Sequence, residues 1–162
     1  MQNLTQTTAL IATLFTGAIF GFFYAYVCSA MWGLDVVDPR IAIPAMQGIN
    51  DVVRNAVFFP AFFLTPVLLL VAGLLYRGQG ASGPAAWFVA AALVYFLGGL
   101  ALTAAVNVPM NNALGALSVP ENLEDAQTIW DVYSPRWQLY NLLRTVASGV
   151  ALLLAAIGLL KA

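Results

Sequence analysis

Charge is missing from four long stretches of this sequence: no Asp, Glu, Lys or Arg occurs in 1–34, 55–76, 78–120 or 145–160. Each stretch, with its flanks, supplies the ~20 residues that cross a ~30 Å hydrocarbon layer. Inside such a layer every backbone N–H and C=O must find its partner within the protein, and a single apolar segment does this as a helix. The chain is 62% hydrophobic and only 8% charged, more oil than a water-soluble core of 162 residues requires. These tracts predict an all-α integral membrane protein, a four-helix transmembrane bundle forming one domain over 1–162, with helices near 8–33, 53–76, 85–107 and 136–160.

The first tract carries no Lys or Arg ahead of its apolar run, and the run is too long for a signal peptide, so it reads as a retained first helix. Cys28 is the only cysteine and histidine is absent. No internal disulfide can form, and His-ligated haem, zinc or iron and the commonest general base are removed together. The net charge is −1 without a basic run, which argues against nucleic acid as a partner.

Proline and glycine punctuate the helices. Pro44 suits the first turn of a long second helix, and Pro60 and Pro66 should bend it. The segment 77–84, Arg-Gly-Gln-Gly-Ala-Ser-Gly-Pro, reads as a short connection. Pro109 biases Val108 away from helical geometry, so helix three is expected to stop at the Asn-rich stretch 107–112. Ser118 and Glu121 fit a capping box opening a short acidic helix at about 121–132, with Ser134-Pro135 starting helix four. Gly17 and Gly21 form a Gly-x-x-x-Gly pair for close packing of helix one, within the bundle or in a homo-oligomer. Trp32, Trp87 and Trp137 fall near helix ends, where indoles favour the membrane interface.

Four crossings place 34–52 and 107–134 on one side of the membrane, and nearly every unusual polar residue follows. Gln47, Asn50, Asp51, Arg54 and Asn55 lead into helix two. Asn107, Asn111 and Asn112 end helix three, and Trp137, Asn141 and Arg144 begin helix four. The last three are spaced i, i+4, i+7 and share one helix face, as do Gln47, Asn50 and Arg54 at i, i+3, i+7. From Arg144 to Leu160 is 16 steps of 1.5 Å, about 24 Å, which starts the guanidinium inside the hydrocarbon boundary. Structural alternatives stay open for each residue: Arg144 snorkelling to the interface, Arg54 pairing with Asp51, Asn141 bonding helix to helix. The clustering favours a site, because ionisable groups at this depth are costly.

At these residues the chain resembles a known family. Gly-Phe-Phe-Tyr-Ala-Tyr at 21–26 within Gly17–Asp35, Gln47-x-x-Asn50, Asn107-Val-Pro-x-Asn111 and Trp137-x-x-x-Asn141-x-x-Arg144 resemble the anthrone oxygenase family of small integral membrane proteins. The resemblance implies oxidation of an anthrone by O₂ to an anthraquinone, with neither metal nor flavin. Such an enzyme must hold a flat apolar ring system, remove a proton and stabilise the oxyanion that results. The candidate catalytic residues are Asp51 as base, with Asp131 second, and Arg144 and Asn141 as donors. Asn50, Arg54, Asn107, Asn111, Trp137, Tyr140 and Phe58 are candidate substrate contacts, with Phe59 as a further aromatic wall.

A second class of function stays open at this level: a non-catalytic membrane protein that binds a quinone-like or lipid ligand, or docks on a partner membrane complex. The expected partners are a hydrophobic aromatic small molecule or membrane lipid, and no cofactor is expected. All seven acidic residues fall on the motif side. A bacterial inner membrane with that side facing out is the expected location, although a bare count of basic residues points the other way.

Overall fold

A computed structural model describes residues 2–162, and the described residues form helices and no strand. In chain order these are α1 (Gln2–Asp35), α2 (Pro39–Val52), α3 (Phe58–Gly78), α4 (Ser82–Gly115) and α5 (Leu123–Leu160). All except α2 are long and apolar enough to cross a membrane, and the chain is an integral membrane protein. The four spans pack in a ring in which α1 touches α3 and α5, and α4 touches the same two, giving up-down-up-down order. The core divides in two. One cluster, with Phe23, Phe62, Leu69, Phe88 and Tyr95, fills the spans, and a second, with Met31, Ile43, Met46, Leu114, Trp130 and Trp137, caps them at the motif end.

The spans run further toward that end than the hydropathy pattern suggests, and helix continues through an expected loop or break in three places. Residues 39–52 form the amphipathic α2, which buries Ala42, Ile43, Met46 and Asn50 at helical spacing. Pro39, not Pro44, occupies its first turn, and Asp38 caps it by accepting from Arg40 N at 2.8 Å. The Arg40 guanidinium bonded to Asp38 holds that carboxyl below the usual carboxylate range. The second span begins at Phe58 rather than 53, after a break that Asn55 closes. Its Nδ2 donates to Val52 O at 2.6 Å, and its Oδ1 accepts from Val57 N and Phe58 N at 2.8 and 3.0 Å. Pro60 therefore falls in the first turn of α3, where a missing N–H costs little. Pro66 lies inside the helix and cannot donate to Phe62 O. The Tyr95 hydroxyl of α4 takes that carbonyl at 3.0 Å.

α4 does not stop at Asn107 but continues to Gly115. Two π-helical stretches, Tyr95–Ala101 and Thr103–Asn107, widen it, so Pro109 arrives in the first turn of a fresh α-helical segment. Val108 keeps helical angles, φ −63° and ψ −49°, against the bias of the following proline. Gln47 holds the end down, its Nε2 donating to Leu114 O at 2.9 Å and Leu117 O at 3.0 Å. Likewise the acidic segment is not a separate helix. α5 runs unbroken through Pro135, and its cap is Asn122, not Ser118. Asn122 Oδ1 accepts from Glu124 N at 2.7 Å, and Glu124 and Asp125 lie in a first turn whose dipole favours negative charge. At 1.5 Å per residue the 38 residues of α5 extend about 57 Å, well beyond a ~30 Å hydrocarbon layer.

The glycine pair of helix one is not where the bundle packs tightest. Gly17 meets Leu152 of α5 at an ordinary 3.8 Å, and Gly21 faces open space. A Cβ on Gly98 would collide with Ala147 Cβ, and Cβ atoms on Gly149 and Gly158 would come within 3.0 Å of Phe20 and 2.9 Å of Phe88. A Cβ on Gly73 would come within 2.8 Å of Val89, so small residues on α3, α4 and α5 set the closest approaches.

The topology is checked with single cysteines at Gly83 and Gly115, where a side chain meets open space, in a Cys28→Ser background because Cys28 is free and exposed. Gly80 is avoided because its φ of +79° would strain any other residue. The two cysteines should react with an impermeant reagent from opposite faces of the membrane. Labelling from one face would break the four-crossing arrangement.

Candidate functional site

The polar end of the bundle encloses an apolar cavity of about 220 Å³. α1 supplies Phe22, Phe23 and Tyr26; α3 supplies Phe58, Phe59, Phe62 and Phe63; α4 supplies Thr103, Val108 and Asn111; α5 supplies Trp137 and Arg144. Ile49, Asn50, Val53 and Arg54, from α2 and the break after it, close the top. Phe22 lies 4.9 Å from Phe58 between ring centroids, and Phe58 stacks on Phe62 at 5.2 Å, so one wall is a continuous aromatic panel.

Arg144 is the only cation buried in this wall, with 5% of its surface exposed. Asn141, one turn earlier on α5, accepts from its Nε at 3.0 Å and is itself anchored by donating to Phe23 O of α1 at 3.1 Å. Nη1 reaches Thr103 Oγ1 at 3.4 Å, and Thr103 donates on to Gly99 O at 2.6 Å. The guanidinium stands 4.1 Å from the Phe23 ring centre and 5.0 Å from that of Trp137, in the range of cation–π attraction. No acid balances it: among the described residues the one ion pair is Arg40 with Asp38, far out on the motif side. Nη2 makes no hydrogen bond to any described residue. A buried cation held by neutral groups, with donor capacity left over beside an apolar cavity, suits an anionic or carbonyl oxygen.

A second set of bonds fixes Asn111. Its Oδ1 accepts from Trp137 Nε1 at 2.8 Å and from Tyr133 Oη at 3.0 Å, while Asn50 Nδ2 donates to the same Tyr133 oxygen at 3.4 Å. An indole N–H can only donate, so the Asn111 oxygen must face it, and the amide nitrogen makes no hydrogen bond to any described residue. Trp137, 2% exposed, is therefore an internal donor and not an interfacial indole.

The structure brings together Asn50, Arg54, Phe58, Phe59, Asn111, Trp137 and Arg144 around the cavity, with Asn141 directly behind Arg144. It does not bring Asp51, Asp131, Tyr140 or Asn107 to that surface. Asp51 is exposed and lines a polar hollow that shares Asn50, Arg54 and Asn111 with the cavity. Arg54 bonds Asn112 Oδ1 at 2.7 Å, not Asp51. Asp131 accepts from Gln127 at 2.7 Å on the acidic turns, and Tyr140 is half-buried elsewhere. Asn107 is fully buried with neither side-chain atom hydrogen-bonded.

The cavity also holds Phe62 and Thr103, together with Phe22, Phe23 and Tyr26 of the Gly-Phe-Phe-Tyr-Ala-Tyr segment, and helical spacing marks none of them as site residues because these stretches are too uniformly apolar for a face to stand out. At the end of that first span Asp35 forms a further cluster: its carboxylate accepts from Trp130 Nε1 at 2.9 Å, Ser134 Oγ at 2.6 Å and Gln138 Nε2 at 2.8 Å. Those three donors are spaced i, i+4, i+8 on α5, a signal that was there to be read. They clamp the end of α1 to α5 beside the cavity.

A helical membrane protein with a donor-lined aromatic cavity at one end of the bundle is the class that this fold and site define. The model of the anthrone oxygenase family matches residues 52–154, more than half of the chain, and the chain belongs to that family. No curated protein and no solved structure matches it. An oxygenase role follows at the level of the family.

The two buried carboxamides should respond oppositely to the near-isosteric change to Leu. Asn141→Leu removes two hydrogen bonds, one of them to a charged group, and should destabilise the protein by about 2 kcal/mol. Asn107→Leu removes none and relieves an unpaired amide, so its thermal midpoint in detergent should match or exceed the wild type. A fall as large as that of Asn141→Leu would show that Asn107 has a partner.

Proposed function

We propose that the protein is a membrane-embedded oxygenase that uses O₂ to convert an anthrone-like polycyclic phenol or ketone to a quinone, with no metal or flavin. The observation that carries this reading is the Arg144 guanidinium, buried without a carboxylate and presenting an unbonded nitrogen at the edge of an aromatic cavity. Chemistry at an anthrone begins when the central methylene loses a proton and its electron pair spreads onto the carbonyl oxygen. Arg144 and the Asn111 amide supply donors to that oxyanion in a site of low polarity, where preorganised donors are worth most. The electron-rich carbon then reacts with O₂. Overall the methylene becomes a carbonyl, O₂ is reduced, and one water leaves. Asp51, at the polar rim, is placed to pass the released proton to solvent.

The cavity exceeds the ~150 Å³ that takes up a benzene molecule. A fused system of three rings needs more, and its remainder would lie in the neighbouring lipid-side groove between α1 and α3. That groove shares Phe22, Tyr26, Ile49, Val53 and Phe58 with the cavity. A membrane-dissolved substrate can thus arrive sideways from the bilayer. The acidic motif side facing outward from a bacterial cell membrane completes the reading.

Purified protein in nanodiscs should consume O₂ when anthrone is added. Arg144→Lys keeps the charge but not the planar fork, so it should lose about 10²-fold in rate while inserting and folding normally. Wild-type turnover in Arg144→Lys would leave Arg144 an interfacial anchor. Tight quinone binding without O₂ uptake would favour a non-catalytic carrier of quinone-like ligands.

A further inference from the structure

The reaction proposed above needs a proton acceptor at the substrate, and no carboxylate lines the cavity. Its titratable wall groups are Arg54, Arg144 and the Tyr26 phenol. Arg54 lies at the exposed rim, bonded to Asn112, and an arginine side chain offers donors and no acceptor. Tyr26 differs. It is 9% exposed, its ring packs on Trp137 at 5.2 Å and on Phe22 at 5.4 Å, and its hydroxyl makes no hydrogen bond to any described residue. Trp137 is also the ring beside the Arg144 guanidinium, so the phenol and the cation flank one indole on the cavity wall. Tyr26 opens the wide turn Tyr26–Ala30 of α1, the kind of irregularity that often marks a functional position. It lines both the cavity and the lipid-side groove, where a ring system spanning the two would lie.

We propose that Tyr26 is the catalytic base of the oxygenase reaction, accepting the methylene proton as a phenolate held by Arg144. This rests on the function proposed above. The C–H bond breaks, an O–H bond forms on Tyr26, and the electron pair moves to the substrate carbonyl oxygen. One anion beside Arg144 is replaced by another, so the apolar cavity contains a single opposite-charge pair before and after the transfer. The carbanion then forms a C–O bond to O₂, the peroxide takes the proton back from Tyr26, and cleavage of the O–O bond with loss of the second methylene hydrogen releases water and leaves the carbonyl, with Tyr26 again the phenolate.

The proton step can be read without O₂. Wild-type protein in nanodiscs, kept anaerobic in D₂O with anthrone, should exchange the methylene hydrogens for deuterium faster than the uncatalysed background. Tyr26→Phe keeps the ring contacts and breaks no protein hydrogen bond, so it should retain anthraquinone binding. It should slow exchange at least tenfold, toward the ~10² to 10⁴ typical of a lost general base, and slow O₂ uptake in parallel. Tyr24→Phe, on the exposed face of the same helix, should behave as wild type. Wild-type exchange in Tyr26→Phe would overturn the proposal, as would loss of anthraquinone binding together with exchange, which marks a structural role. Loss of exchange in Asp51→Asn with Tyr26→Phe unaffected would give the role to Asp51. Wild-type protein that neither exchanges nor consumes O₂ would remove the parent function, and this base with it.

Discussion

A guanidinium buried in the bundle without an acid beside it is the constraint around which the motif end is built. Stripping water from Arg144 is expensive, and no carboxylate pairs with it to repay the cost. The structure offsets the cost with neutral groups from its own helix and from two others, α1 and α4: Asn141 tied to the Phe23 carbonyl, Thr103 tied to Gly99, and the faces of Phe23 and Trp137. Each group must stand in one place, so α1, α4 and α5 are locked in register at that level. A carboxylate there would have quenched the charge. Its absence leaves the cation able to attract a ligand oxygen.

The wide helical turns belong to the same design. All three π-helical stretches, 26–30, 95–101 and 103–107, lie on the two spans that face each other across the cavity end. They place Tyr26, Tyr95 and Thr103, and they let α4 pass Pro109 without breaking. The prolines and the polar residues compensate one another across the bundle. Tyr95 takes the carbonyl released by Pro66, Gln47 takes those at the end of α4, and Asn55 closes the gap before α3. Several side chains that look like site residues in the sequence are therefore helix caps, and one that looks like an ordinary apolar-helix tyrosine faces the cavity.

Much of this was legible beforehand. Four spans followed from the charge gaps, because lipid leaves a polar backbone no partner except its own helix. The face shared by Trp137, Asn141 and Arg144 followed from helical spacing, and helix four keeps regular geometry through those residues. Helix ends were the weak point. Local bias from Pro109 and Ser134-Pro135 argued for breaks, yet α4 and α5 continue, because packing and distant capping groups outweigh a single lost hydrogen bond. For Arg54, the alternative of pairing with Asp51 does not form: Asp51 is close in sequence, but the bond goes to Asn112 of α4.

The sequence by itself determined that the chain crosses a membrane four times and gathers its polar residues at one end. Both are consequences of which segments water or lipid will accept, a property of each segment alone. Only the tertiary structure decided which polar groups face one another, which are consumed in capping, and that Tyr26 rather than Asp51 shares the cavity with Arg144. Those outcomes depend on the rotation and register of one helix against the next. They are set by the close passage of Gly98 on Ala147 and by bonds between residues as far apart as Phe23 and Asn141, to which no local pattern in the chain refers.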